Sequence, residues 1–354
     1  MLKNTTYMDA LNGVQTNKIP VWFMRQAGRS LPEYRNLKGD DSILKILEDP
    51  EKSAAITLQP VERHGVDAAV LYSDIMMPLI ASGVDIEIQE GVGPVLKTGF
   101  TSKEDLNKID TNKMGELLWA QKETIKIVKS KAEVPLIGFV GAPFTLACYL
   151  IDGRPTKNWT ATQKLLLTDQ SFSNSLFKKL AQVVIKSIDI QVNAGVDAIQ
   201  IFDSWAGILE PRTFSRYLIN PLRDIIAFAD SRNIPITYFG LQNLPQLPLI
   251  SQLSPGVVSI DSTMEIQQAK KVVGSSVGIQ GNLNPVSCLA SFEYLKNEIT
   301  YILEQGFSSR TVFTDESNRS LTSGYIFNLG HGVLPATDPN TLTQIVKLIH
   351  EFNF

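Results

Sequence analysis

The chain has 354 residues, 44% of them hydrophobic and 19% charged, with 33 Lys and Arg against 36 Asp and Glu. A net charge of −3 excludes a general pull toward nucleic acid or an anionic membrane, and the apolar content excludes a disordered chain. Two cysteines, Cys148 and Cys288, cannot build a disulfide framework and fit a reducing, cytoplasmic setting, while three histidines leave little material for a metal site.

The first twenty residues contain no apolar h-region, so no secretory signal is expected. From there, short apolar runs alternate with longer amphipathic ones. Strands are predicted at 20–24, 68–72, 136–140, 198–202, 235–239, 257–260, 277–280 and 325–329. Helices are predicted at 50–63, 113–131, 171–193, 213–231, 263–272, 289–304 and 340–350. Asp49 before Pro50 supplies an N-cap and a first-turn proline, and Asp338 before Pro339 repeats the signal ahead of the last helix. Residues 98–112 and 308–323 read as polar surface loops. The uncharged run 134–151 is about long enough to span a bilayer, but Pro135, Gly138, Gly141 and Pro143 divide it into a strand, a turn and a helix start. Gly195 stands where a C-terminal glycine is expected after the 171–193 helix.

This alternation, with no break in composition, implies one α/β domain over residues 1–354. Eight strands favour a (β/α)8 TIM barrel over an open doubly wound sheet. Polar residues and glycines follow the strands: Arg25 to Arg29 after the first, Ser73 and Asp74 after the second, Gly141 after the third. Asp203 and Ser204 follow the fourth, Gly281 and Asn282 the seventh, and Gly330 to Gly332 the last. In a parallel barrel these positions open on one face, the C-terminal mouth.

Arg25 and Arg29, four apart in MRQAGR, are planar, permanently charged forks suited to a ligand with several carboxylates. Ala27 and Gly28 would let backbone amides approach that ligand; two arginines paired on a surface turn are the alternative. Asp74 ends the run AAVLYSD and is either a helix cap or a functional anion. Tyr149 either faces the mouth or sits in the core, and Ser204 either caps a helix or donates to a ligand. His331, between two glycines in NLGHGVLP, is accessible in a tight loop and is a functional candidate. His64 reads as a cap on its helix dipole, and His350 as solvent-facing on the last helix. The chain has no Gly-x-Gly-x-x-Gly, no phosphate loop, no Gly-x-Ser-x-Gly elbow, no CxxC and no HExxH.

The segments PVWFMRQAGRSLPEYR, AAVLYSDIMMP, PLIGFVGAPFTLACYLIDG, IFDSWAGIL, VGIQGNLNP and FNLGHGVLPATDP together resemble the uroporphyrinogen decarboxylase family, in order and over residues 7–350. The resemblance implies a single distorted (β/α)8 barrel with an active-site cleft at its C-terminal mouth, assembled as a homodimer with facing clefts. It implies a carboxy-lyase of tetrapyrrole synthesis that takes four carboxyl groups from uroporphyrinogen III, a small-molecule substrate, to give coproporphyrinogen III. It needs no cofactor and no metal, and binds no nucleic acid or membrane. By the match, Arg25, Gln26, Ala27, Gly28 and Arg29 bind substrate carboxylates, with Asp74, Tyr149, Ser204 and His331 lining the cleft. Asp74, Arg25 and Arg29 carry the catalysis: the anion stabilises a cationic ring, and the arginines hold the leaving carboxylate.

Some residues depart from the family pattern. Ser30 replaces an aromatic, Lys38 an arginine, GLQNLPQLPL (240–249) a glycine-rich loop, and EGVGP lacks the usual acidic residue between its glycines. The 308–323 loop is longer than usual. Two rivals remain. One is a corrinoid-type methyltransferase relative on the same fold, which would bind zinc through His and Cys where this chain has Thr237, Tyr238, Phe239 and Gly240. The other is a non-catalytic tetrapyrrole carrier, expected to lose Asp74 while keeping the arginines.

Overall fold

The computed structural model describes residues 3–16, 18–314 and 320–352. In chain order its strands are β1 (Ala69–Val70), β2 (Ile86–Gln89), β3 (Gly93–Leu96), β4 (Leu136–Gly141), β5 (Ala198–Asp203), β6 (Ile236–Gly240), β7 (Val257–Ser259), β8 (Gly278–Gln280), β9 (Val312–Thr314), β10 (Ser320–Thr322) and β11 (Tyr325–Ile326). Seven of them form one parallel sheet in the order β1-β4-β5-β6-β7-β8-β11, and two antiparallel pairs, β2–β3 and β9–β10, stand apart from it. The sheet advances through sequence neighbours, as repeated right-handed β-helix-β units require.

Residues 20–22 close the gap between β11 and β1. Val21 makes a parallel bridge with Phe327, whose N–H donates to Pro20 O at 2.9 Å, and on the other side Asp67 N–H donates to Val21 O at 2.8 Å. All eight predicted strands are therefore in place, the first as a bridge rather than a ladder. The reason is local: the Val21 N–H is taken by the Asp67 carboxylate at 2.8 Å instead of a backbone carbonyl. Asp67 is 3% exposed and also accepts from Asn4 Nδ2 at 2.6 Å and meets His350 Nε2 at 2.9 Å. One buried anion thus ties the closing segment, the N-terminus and the last helix together.

The uncharged 134–151 run divides into β4 and the helix Pro143–Asp152, which has its proline at the first helical position. Among the described residues no helix is long and apolar enough to cross a membrane. The long helix Gln170–Ala194 ends at Gly195, which takes φ +115. The predicted 213–231 helix is broken into Pro211–Tyr217 and Ile219–Ser231. Pro221 explains the break, because it has no N–H to offer the carbonyl one turn back and its ring clashes there. The predicted 113–131 helix is likewise divided, into Met114–Leu117 and Trp119–Lys131.

Both predicted loops hold structure that polar composition concealed. Residues 98–112 contain the 3-10 helix Lys103–Lys108, whose start is held by Asp105 Oδ2 accepting from the Thr101 and Ser102 N–H groups at 2.9 and 3.0 Å. Residues 308–323 contain β9 and β10, while 315–319 lie outside the described residues. One histidine reading is corrected and another is extended. His64 is 4% exposed, hydrogen-bonded through Nδ1 to Thr343 Oγ1 at 2.7 Å, and pushed down to about 4 by burial, so it is neutral rather than a charged dipole cap. His350 faces the buried Asp67 as well as solvent.

Asp67→Ala should leave the Val21 N–H buried without an acceptor and cost about 3 kcal/mol, given the penalty for orphaning a charge-assisted donor. The urea midpoint should fall at unchanged slope; an unchanged midpoint would mean that Asp67 does not hold the barrel shut.

Candidate active site

The chain leaves the closing segment through a tight turn. Gln26, 1% exposed, accepts the Phe23 N–H on Oε1 at 3.0 Å and donates from Nε2 to Ala68 O at 3.0 Å. Both ends of its amide are thus engaged in fixing the turn against β1. Arg25 takes φ +61, a left-handed conformation that a non-glycine residue adopts at a cost of about 1 kcal/mol or more. The turn directs an exposed guanidinium over the barrel mouth. Its stem lies on Gly332, where a Cβ atom would stand 2.4 Å from Arg25 Cδ, so only glycine leaves that path open. Arg35 Nη1 donates to Arg29 O at 2.6 Å and Ser30 O at 3.1 Å and clamps the far end of the loop. Among the described residues no carboxylate closes an ion pair with Arg25 or Arg29.

Asp74 follows β1. Its Oδ1 accepts the Met76 N–H at 2.8 Å, which stiffens the turn into the helix Met77–Ala81. Asp74 is not the N-cap of that helix, a position Met76 holds; it lines the cavity, and among the described residues its Oδ2 makes no hydrogen bond. Burial raises the carboxyl above its ordinary range, opposed by the Met76 N–H and then by the Arg25 charge. Arg25 is close enough to act on Asp74 electrostatically and yet forms no ion pair with it.

His331 Nδ1 accepts the Gly332 N–H at 2.7 Å, which leaves the Nε2 proton as a donor toward the mouth. Partial burial lowers its pKa from 6.5, Arg25 lowers it further and Asp261 works the other way. Ser204 comes off the end of β5. Tyr149 lies on the second turn of Pro143–Asp152, 8% exposed, with its ring edge-on to Trp159 at 5.0 Å between centroids. Its hydroxyl lies within electrostatic reach of both Asp74 and Arg25.

Arg25, Gln26, Ala27, Asp74, Ser204 and His331 line one cavity of about 250 Å³. Gly28 and Arg29 continue the same loop just outside it, and Tyr149 stands in the wall behind. Sequence reasoning missed the floor. Phe139, Phe202 and Phe239 come from three adjacent strands and pack edge to face, with centroids 5.6 and 5.7 Å apart. Each lies in the C-terminal half of an apolar strand and is indistinguishable in sequence from core; only the alternation of inward and outward residues could have marked them. Trp22, which also lines the cavity, donates from Nε1 to Gln280 Oε1 at 3.0 Å, and Gln280 Nε2 to Ser259 Oγ at 2.9 Å, while Gln200 Nε2 and Thr237 Oγ1 are buried there without a hydrogen-bond partner. Among the described residues no three His, Cys, Asp or Glu side chains stand together in a way that could hold a metal ion.

The arrangement can hold an anion-rich ligand over an aromatic floor, with a single carboxylate available to N–H donors at its centre. Comparison with known proteins points the same way. The family model described as uroporphyrinogen decarboxylase matches residues 2–352. The uroporphyrinogen decarboxylase of Salinispora tropica is 40% identical, covering 94% of this chain and 86% of its own, and that of a Geobacillus species is 39% identical, covering 99% and 98%. Among solved structures, a methyltransferase from Methanosarcina mazei shares the fold with a TM-score of 0.77 over 99% of this chain and 98% of its own, at 20% identity.

Arg25→Ala removes one of the two effects that hold the His331 imidazole down. The midpoint of its NMR pH titration should therefore rise toward 6.5. A midpoint that stays in place would put Arg25 out of electrostatic range of the mouth histidine.

Proposed function

We infer, for a chain that belongs to the uroporphyrinogen decarboxylase family, that it is a carboxy-lyase removing the four acetate carboxyl groups of uroporphyrinogen III to give coproporphyrinogen III and four CO2. The observation that carries this reading is a carboxylate with an uncommitted oxygen beside a guanidinium that forms no ion pair, in one cavity. Uroporphyrinogen presents matching groups: acidic arms outside and pyrrole N–H donors inside.

In this reading Asp74 accepts the ring N–H groups through Oδ2 while Oδ1 stays on Met76. Arg25 and Arg29 grip the acidic arms. Amides of the loop through Gln26, Ala27 and Gly28, the Ser204 hydroxyl, the Tyr149 hydroxyl and the Nε2–H of His331 supply further donors. The aromatic floor takes the macrocycle face. The reaction needs an electron sink, which protonation of a pyrrole carbon provides. The C–C bond to the carboxylate then breaks, its electron pair neutralises the ring, and CO2 leaves. An exocyclic methylene remains. Its protonation, with loss of the proton from the ring carbon, gives the methyl group, so each carboxylate lost takes up one net proton. Asp74 favours the cationic ring over the neutral one, so its contribution grows toward the transition state. No cofactor enters this scheme. The zinc-dependent methyltransferase alternative is not favoured, because the β6 end offers Tyr238 and Phe239 in place of His or Cys.

We further propose that residues 1–354 act as one barrel domain, which a main hydrophobic core running from Tyr7 to Ile349 supports, with a small second cluster of Leu31, Tyr34, Ile46 and Ile56 beside it. A cavity of about 250 Å³ is small even for a drug-sized ligand, so much of the macrocycle would stand above it. A homodimer with facing mouths would cover that part. The two buried, unpaired cysteines support a cytoplasmic setting.

Anaerobic incubation with uroporphyrinogen III, followed by chromatography, should give seven-, six-, five- and four-carboxyl products in turn. Asp74→Asn should lower kcat by about 100-fold with binding nearly unchanged; undiminished turnover would remove Asp74 from the chemistry. Because the ionised carboxylate is the active form and burial raises its pKa, wild-type turnover should decline on acidification earlier than an ordinary carboxylate would dictate, and Asp74→Asn should lack that decline. Arg29→Ala should instead weaken substrate binding by about 2 kcal/mol.

A further inference from the structure

The mouth is walled by inward-facing residues at the ends of β5 and β6, and the same strand ends carry an outward-facing pair that the scheme above does not use. Along β5, Phe202 and Ser204 face the cavity and Asp203 between them faces the helical layer; along β6, Phe239 faces the cavity and Tyr238 faces out. Asp203 is fully buried. Its Oδ1 accepts from Thr145 Oγ1 at 2.9 Å and its Oδ2 from Tyr238 OH at 2.7 Å. Thr145 sits four residues, one helical turn, before Tyr149 and on the same helix face. Each member of this Thr–Asp–Tyr cluster is thus a neighbour of a mouth residue: Thr145 of Tyr149, Asp203 of Phe202 and Ser204, Tyr238 of Phe239.

We propose that Asp203 is a positioning residue, whose carboxylate locks the helix bearing Tyr149 to the strand ends bearing Ser204 and Phe239 and so sets the shape of the substrate pocket from behind. A buried carboxylate is an expensive way to join three elements, since apolar packing of similar volume commonly holds as well or better. What it adds is direction, because two hydroxyls must meet two oxygens at fixed angles. Burial pushes the Asp203 carboxyl up to about 6, with the Tyr238 and Thr145 hydrogen bonds pulling the other way; both hydroxyls donate to it, which is the arrangement that favours the ionised form. The other titratable group facing it is Cys148, on the Thr145 helix, whose thiol is held well up by burial. The backbone adds a second tie between the same elements, as Ala142 N–H donates to Phe202 O at 2.8 Å.

The inference rests on the decarboxylase reading, and one assay separates the two. Asp203→Asn, Tyr238→Phe and Thr145→Val are compared with wild type for kcat, KM and the distribution of partly decarboxylated products at equal substrate consumption. A misset pocket predicts a fall in kcat of about 10-fold or more in Asp203→Asn, little change in KM, and build-up of seven-, six- and five-carboxyl species. Tyr238→Phe and Thr145→Val should each show part of the effect, and the double variant should match Asp203→Asn. A purely architectural role would reduce the amount of active enzyme and leave the product pattern unchanged; wild-type kinetics and pattern in Tyr238→Phe and Thr145→Val overturn the proposal even if Asp203→Asn fails to fold. Wild-type enzyme that releases no CO2 would overturn the decarboxylase reading and this inference with it.

Discussion

Asp74 and Arg25 share a cavity without joining, and the backbone is what keeps them apart. Opposite charges left near one another in a half-buried space should close together, because a direct contact recovers part of the hydration each has lost. Here the anion is occupied on one oxygen by the Met76 amide, and the cation is carried over Gly332 by a left-handed turn anchored through Gln26. The separation is stored in local geometry, and in the reading proposed above a ligand with both donors and carboxylates supplies the missing partners. The mouth is pre-organised in this sense: the unfavourable placement of charge is set during folding rather than during binding.

Much of this is legible in the chain itself. The eight strands, the Asp-Pro helix starts and the position of Gly195 follow from rules that act over a few residues. The gathering of Arg25, Asp74, Ser204 and His331 at one mouth follows from topology, since parallel strands share one C-terminal face. What escaped is set by tertiary contact. The phenylalanine floor reads as core because aromatic side chains look alike on either face of a strand. Asp203 was visible, but its partners, Thr145 and Tyr238, are distant in sequence and neither is charged. The partners of two histidines escaped for the same reason: Thr343 and Asp67 lie far along the chain from His64 and His350.

The barrel by itself says little about chemistry. A methyltransferase from Methanosarcina mazei has the same architecture at 20% identity, and at that distance only the fold is shared. What distinguishes this chain is carried by a few strand ends and by the loop that begins at Arg25.

That loop grows from the least secured part of the cylinder. Residues 20–22 join their neighbours through one bridge, three backbone hydrogen bonds and the side chain of Asp67, whereas β4, β5 and β6 are laced by longer ladders. The seam and the guanidinium handle are therefore one continuous piece of chain. If Arg25 grips an acidic guest as proposed, occupancy and structural integrity become thermodynamically linked at this edge, and an empty molecule should breathe there first.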